Sequence, residues 1–436
     1  MTIVTFLGMV DGEKASYRFD SALMASLKLS RHEIEAENML PLLLHIFSGS
    51  HIIAVGTREA IARQKELLRR EYTPQIAKKD IQWLDLPDTH DFHAIFRKLG
   101  ELLDAHDELV VDITHSFRHI PTLMVVDMVI ENIKDPNKIR HILFAREREK
   151  ESLYLVMDLR EYLTLANISY ALASFTNNYT ITTTIPTRNR VYQALLDELA
   201  SFGDHILANS LEALLFSEGE QRSIAGYIRD LIHTICRDPQ LKTTIGPLLR
   251  YLEEIDQHMK EILQQTDTDL DERYHYFAKL MLDKGYLLNA LTLLDEALAA
   301  YCVEGFRRQP SLSGLVEEIE RMLAESTKGS RYDLSNTAKN IVKLGRNFRV
   351  SAISNNRPYT KPLQRFAKEA RKCCTNGDQT RIELLKKLIS DCDETRNNLA
   401  HANSAKRLDD VRREIQGLLS RYEEICCIND PFGRFR

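Results

Sequence analysis

Apolar residues recur along the first 160 positions in two alternating rhythms. Short runs rich in β-branched and aliphatic residues fall at 3–7, 51–55, 81–86, 109–113, 139–145 and 153–157 and predict buried or half-buried strands. Between the first five lie stretches with helical spacing, at 33–47, 58–71, 90–105 and 120–133. This alternation predicts an α/β domain with a mainly parallel sheet covered by helices on both faces. The charged run REREKE between the last two strands predicts a closing hairpin. In such a sheet, ligands bind beyond the carboxyl ends of the strands.

The rhythm changes near Arg160. Helical spacing then runs through 191–215, 224–235, 245–263, 274–307, 312–324 and 382–426, punctuated by Pro239, Pro247, Pro310 and Pro358. The polar, β-branched stretch YTITTTIPT at 179–187 reads as a connector. The expected organisation is an α/β domain over 1–175, then a helical linker and an all-α domain over 176–436.

Composition narrows the class. The 436 residues suffice for two or three domains, and 44 % hydrophobic with 28 % charged residues is a globular balance. A net charge of −5 excludes nucleic-acid binding through bulk charge alone, though not through a local basic groove. Seven cysteines, at 236, 302, 373, 374, 392, 426 and 427, include no CxxC pair, which predicts reduced thiols and neither a disulfide frame nor a zinc site. The opening MTIVTFLGMV has no basic leader or small-residue cleavage site, and no apolar run approaches the length of a membrane span. A cytoplasmic protein without membrane attachment is therefore expected.

Candidate chemistry gathers in two places. Gly8-Met9-Val10-Asp11-Gly12 follows the first strand, Gly56-Thr57 the second, and Asp112-Ile113-Thr114-His115-Ser116-Phe117-Arg118-His119 the fourth. The last run sets hydroxyls, imidazoles, an aromatic ring and a guanidinium just before a helix N-terminus, a favourable anion site. Helix capping by Thr114 and Ser116 explains the same residues without a ligand. The pairs His115/His119 and His90/His93 lack a third ligand, so no metal is expected. Neither GxxxxGK[ST] nor GxGxxG occurs.

The second place is DCDETRNNLAHAN at 391–403, inside a long helical pattern. Arg396, Asn397 and His401 suffice for metal-free RNA cleavage, with an imidazole to move protons and a guanidinium to meet charge building on phosphate. A charged solvent-facing helix turn gives the same spacing. Residues five apart on a helix differ by roughly 140° in direction, so one chain does not easily converge Arg396 and His401. A two-fold pair of chains would. From Lys339 to Cys374 there are ten basic residues against the single acid Glu369, and the middle reads as a loop whose Phe348 and Tyr359 suit stacking on single-stranded RNA.

Together these residues resemble the CRISPR-associated CARF–HEPN ribonucleases of type III systems. The opening FLG followed by YRF, the GT after the second strand, and VVDITHSFRHIP at 110–121 look like the family's sensor domain over about 1–175. RNNLAH at 396–401 is similar to the Rx4–6H motif of HEPN nucleases, and the order of sensor and nuclease agrees. The helices from about 190 to 390 carry no matching motif. The resemblance implies a Rossmann-like CARF domain that binds a cyclic oligoadenylate, tetraadenylate first and hexaadenylate second. It implies a homodimer or higher oligomer whose HEPN site cuts single-stranded RNA without metal or other cofactor, leaving a 2′,3′-cyclic phosphate, in antiviral defence. By position, Gly8, Met9, Gly56, Thr57, Thr114, His115, Ser116, Phe117 and Arg118 would face the messenger, and Arg396, Asn397 and His401 would form half of the nuclease site. Two other classes stay open: a nuclease-inactive ligand-binding regulator, and a toxin-like HEPN ribonuclease that no nucleotide gates.

Overall fold

The computed structural model describes residues 1–9, 13–72, 80–86, 91–115, 119–148, 152–181, 187, 189–217, 222–239, 241, 245–325, 331–353, 359–401, 405–426 and 432, without the side chains of 331, 332, 352 and 426. The chain divides into two compact units. One comprises Met1–Phe175, Thr180–Asp197 and Thr234–Leu252; the other comprises Thr176–Tyr179, Glu198–His233 and Glu253–Arg436.

The first unit is built on eight strands: β1 (Thr2–Phe6), β2 (Ala15–Phe19), β3 (Glu33–Ala36), β4 (His51–Gly56), β5 (Ile81–Asp85), β6 (Leu109–Asp112), β7 (Ile139–Arg148) and β8 (Leu153–Asp158). Their order is β3-β2-β8-β7-β6-β1-β4-β5. Only β2–β3 and the β7–β8 hairpin pair antiparallel. Six of these strands match the expected runs; β2 and β3 are additions. A single helix over 33–47 is not observed. Glu33–Ala36 instead pairs with β2 in the register Ala36↔Ala15, and Asn38 then caps α2 (Met39–Ile46) by accepting from the Leu40 N–H.

Alternate residues of the central strands enter opposite cores. Ile3, Ile52 and Val110 pack with Leu23 of α1 (Ser21–Leu27), Met39 of α2 and Leu68 of α3 (Arg58–Glu71). Val4, Ile53 and Val111 pack with Ile95 of α4 (Phe92–Asp104), Met124 of α5 (His119–Lys134) and Leu163 of α6 (Arg160–Asn178). Helices thus cover both faces, and each fully buried aliphatic side chain contributes about 1.5–3 kcal/mol.

The helices that follow are α7 (Arg190–Leu207), α8 (Glu212–Leu215), α9 (Ile224–Arg237), α10 (Leu249–Leu263), α11 (Leu270–Asp283), α12 (Leu287–Arg307), α13 (Ser313–Glu325), α14 (Arg331–Leu344), α15 (Thr360–Asn376), α16 (Gln379–Ala400) and α17 (Leu408–Cys426). The pattern at 274–307 is two helices. Gly285, at φ 87°, turns the chain between them, with the Tyr286 N–H reaching Met281 O and the Gly285 N–H reaching Leu282 O. The pattern at 382–426 is likewise broken after Ala400. α12 is buried along most of its length, from Ala290 to Phe306, and packs against α11, α13, α14, α16 and α17.

The basic segment carries two helices that were not expected, and the stretch read as a loop, 345–362, falls mainly between them. α14 and α15 take up most of the basic segment, joined by short 3-10 turns at Gly345–Asn347 and Val350–Ala352, while residues 354–358 lie outside the described residues. Phe348 and Tyr359 are 8 % and 2 % exposed, and the Tyr359 hydroxyl donates to Asp333. These rings fill the core and are not offered to RNA bases.

Candidate functional site

β6, β1 and β4 are adjacent and parallel, so their carboxyl ends bring three of the expected segments to one end of the sheet. The strand order reverses beside β1, the place where open α/β sheets take ligands. Gly8 and Met9 follow β1, with Met9 52 % exposed. Gly56 closes β4 and is buried. A Cβ there would stand 3.0 Å from Leu7 Cβ, a close approach that a larger residue would have to relieve by shifting Leu7. Thr57 caps α3, its Oγ1 accepting from the Ala60 N–H at 3.3 Å.

Asp112, fully buried at the end of β6, organises the third segment. Its Oδ2 accepts from Thr5 Oγ1 at 2.7 Å, and its Oδ1 from Thr114 N at 3.0 Å and Thr114 Oγ1 at 2.5 Å. Thr114 Oγ1 in turn accepts from the Ala145 N–H at 2.9 Å. The Thr114 hydroxyl is therefore spent on holding the turn. Burial pushes the Asp112 carboxyl up, against its hydrogen bonds from Thr114 and Thr5. Burial likewise pushes His115 down, against the pull of Asp112. His115 Nε2 is buried and meets no hydrogen-bond partner among the described residues. Ser116, Phe117 and Arg118 lie outside the described residues.

The second constellation closes α16. Asp378 starts this helix, its side chain accepting from the Thr380 and Arg381 N–H groups, and His401 ends it, donating its backbone N–H to Asn397 O at 3.0 Å. Asn397 and His401 are exposed, whereas Arg396 turns inward with its side chain 29 % exposed. The guanidinium and the imidazole leave the helix in different directions, as their spacing requires.

Arg396 Nη1 donates to Asp295 of α12, and its Nη2 lies 3.8 Å from Asp393. Lys339 of α14 bonds both carboxylates, at 2.5 Å to Asp295 and 3.3 Å to Asp393, and Lys343 reaches Asp393 at 2.5 Å. Lys339, Lys343 and Arg396 thus meet the two carboxylates Asp295 and Asp393. Burial, and then the charge of Asp295, push the adjoining Glu296 carboxyl up. Burial pushes the Asp295 carboxyl up as well, against the charge and hydrogen bond of Lys339 and the charge of Arg396. Burial acts against Asp393 as well, yet the Lys343 hydrogen bond and the charges around it hold its pKa down.

Asp295 and Lys339 were not among the candidates from sequence, and Asp295 lies 101 residues before Arg396. One local signal was available: Asp295-Glu296 interrupts the apolar run from Leu293 to Cys302. Among the described residues no group of three or more His, Cys, Asp or Glu side chains is disposed to hold a metal, and no helix is long and apolar enough to cross a membrane. Compared with known proteins, the chain matches no family model and no curated sequence.

Proposed function

We propose that this chain is a ribonuclease of the CARF–HEPN kind, in which a cyclic oligoadenylate, tetraadenylate first, bound at the carboxyl ends of β1, β4 and β6 switches on RNA cleavage by Arg396, Asn397 and His401. The observation that carries the reading is the end of α16, which holds an anchored guanidinium, with Lys339 and Lys343 on the same two carboxylates, and an exposed imidazole five residues on. His401 takes the proton from a ribose 2′-hydroxyl as the 2′-oxygen attacks phosphorus. The bond to the 5′-oxygen breaks, that oxygen receives a proton, and a 2′,3′-cyclic phosphate remains. Arg396 meets the charge that builds on the phosphate oxygens. Because the two side chains diverge within one chain, the working site is shared across a two-fold homodimer.

A second reading, a ligand-binding regulator without nuclease activity, draws on the bond between Arg396 and Asp295, which engages the guanidinium within its own chain. Cleavage of a fluorescent single-stranded RNA in EDTA separates the two. The nuclease reading predicts undiminished cutting with cyclic-phosphate ends. A strict magnesium requirement, or no cutting with any cyclic oligoadenylate, contradicts it.

A further inference from the structure

A second chemically competent constellation lies within the first unit, away from both segments described above. Ser26 of α1, His141 of β7 and Asp158 at the end of β8 form a continuous relay. Ser26 Oγ lies 3.2 Å from His141 Nε2, and His141 Nδ1 lies 2.7 Å from Asp158 Oδ2. The separation of 115 positions between serine and histidine hides this grouping from any reading of local sequence.

Each member is held for a role. Asp158 Oδ1 accepts from the Ile142 N–H at 3.1 Å and the Arg160 N–H at 3.0 Å, which leaves Oδ2 for the imidazole. Burial alone would push the Asp158 carboxyl up, but the His141 hydrogen bond and these two backbone donors hold it down. With its carboxylate facing Nδ1, Asp158 favours the imidazole tautomer that carries its proton there, in which Nε2 accepts from the Ser26 hydroxyl. His141 is 7 % exposed and fixed on both sides, whereas Ser26 is exposed.

Ser26 and Asp158 also line a cavity of about 400 Å³, together with Leu23, Glu161, Ile168 and Asn189. Asn189 Oδ1 accepts from the Val191 and Tyr192 N–H groups, which leaves its Nδ2 to donate to a bound oxygen. Asp20 and Glu161 add negative charge to the lining, and Arg160 spends its Nε on Ile139 O and its Nη2 on Pro136 O. Such a lining repels polyanions such as oligonucleotides and admits neutral or cationic molecules of modest size.

We propose that Ser26, His141 and Asp158 form a hydrolytic site for small uncharged or cationic esters, independent of the nucleotide and RNA chemistry. Ser26 Oγ bonds to the acyl carbon as its proton passes to His141 Nε2. The bond from that carbon to the alcohol oxygen breaks, and the alcohol leaves with the proton. Water then attacks the acyl-serine, gives a proton to His141, and the carboxylic acid departs as Ser26 Oγ recovers it. Asp158 is a positioning residue that keeps the imidazole in the required tautomer.

The test uses the full chain, a fluorophosphonate probe and p-nitrophenyl acetate. The expected result is a phosphonyl adduct on Ser26 by peptide mass spectrometry and ester hydrolysis above buffer, both lost in Ser26→Ala and both kept in His401→Ala. His141→Gln should slow labelling on the order of 10²-fold. Asp158→Asn, whose Oδ1 still accepts from Ile142 and Arg160, should slow it through the wrong tautomer, which supplies a second arm if His141→Gln does not fold. An unlabelled Ser26 in protein of unchanged melting temperature overturns the proposal. So does hydrolysis that survives Ser26→Ala, or labelling that neither relay variant slows.

Discussion

At the scale of single residues, the account turns on polar groups that lie far apart in sequence. Asp295 accepts from Lys339 and Arg396 inside a largely buried helix. Removing one partner of a buried ionic group strands the others, at a cost of about 3–5 kcal/mol. Asp295→Ala should lose that much stability in urea unfolding, and a loss under about 1 kcal/mol contradicts the described cluster. Asp295→Asn, which keeps the shape and one acceptor, should lose less. At the other site the Thr114 hydroxyl joins Asp112 to the Ala145 N–H. Thr114→Val should raise the cyclic tetraadenylate needed for half activation by roughly ten- to a hundredfold, as expected for a lost hydrogen bond to a charged group. Its maximal RNA cleavage should stay near wild type; calorimetry beside cleavage curves checks both. Unchanged affinity would mean that this turn does not shape the messenger site. The candidate residues themselves were legible because they cluster locally, as DITH and RNNLAH do. Their partners Asp295, Lys339 and Ala145 were not, because long-range hydrogen bonds leave no mark in local sequence.

At the scale of elements, legibility follows burial. The strands buried on both faces, β1, β4 and β6, read directly as apolar runs. β2 (ASYRF) and β3 (EIEA) were missed because they lie at the sheet edge with mixed burial and too few apolar residues to set a period. α14 and α15 were not among the expected helices, because their many basic residues hide a short apolar stripe that in α15 runs Leu363, Phe366, Ala367 and Ala370. A further device is a buried Tyr–His pair. Tyr179, at φ 57° and 1 % exposed, donates its hydroxyl to His258 Nε2 of α10 at 2.6 Å, and the rings stack at 5.7 Å. α7 passes so close that a Cβ on Gly203 would stand 2.2 Å from Tyr179 O. Burial, and then Lys284, push His258 down from 6.5 to about 4. Above pH 6.5 neither folded nor unfolded chain protonates this ring. Between 6.5 and about 4 only the unfolded chain does, so stability falls as pH falls, and below about 4 the loss stops. From pH 7 to pH 5 this ring should remove about 2 kcal/mol, measured as the part of the change in urea unfolding that His258→Gln abolishes. An identical pH dependence in the variant contradicts the assignment.

At the scale of the whole molecule, the chain joins a three-layer α/β unit to a helical unit, and each carries one of the constellations proposed to work together. The mainly parallel sheet with its closing hairpin, and the change to helix after residue 160, were both legible from periodicity. The boundary expected near 175 coincides with the end of the first stretch of the α/β unit. The return of Thr180–Asp197 and Thr234–Leu252 to that unit carries no sequence mark, because helices of either unit look alike locally. Net charge of −5 disfavours holding RNA through bulk attraction, so the proposed cutting would depend on a local site that one substitution can remove. The most direct measurement is therefore the rate at which the purified chain cuts a fluorescent single-stranded RNA, with and without cyclic tetraadenylate, in wild type and in His401→Ala. The account predicts messenger-dependent cutting by wild type and a loss on the order of 10²-fold or more in a His401→Ala protein that folds and binds the messenger normally. Near wild-type cutting by that variant, or a wild type that cuts equally well without any cyclic oligoadenylate, would contradict it.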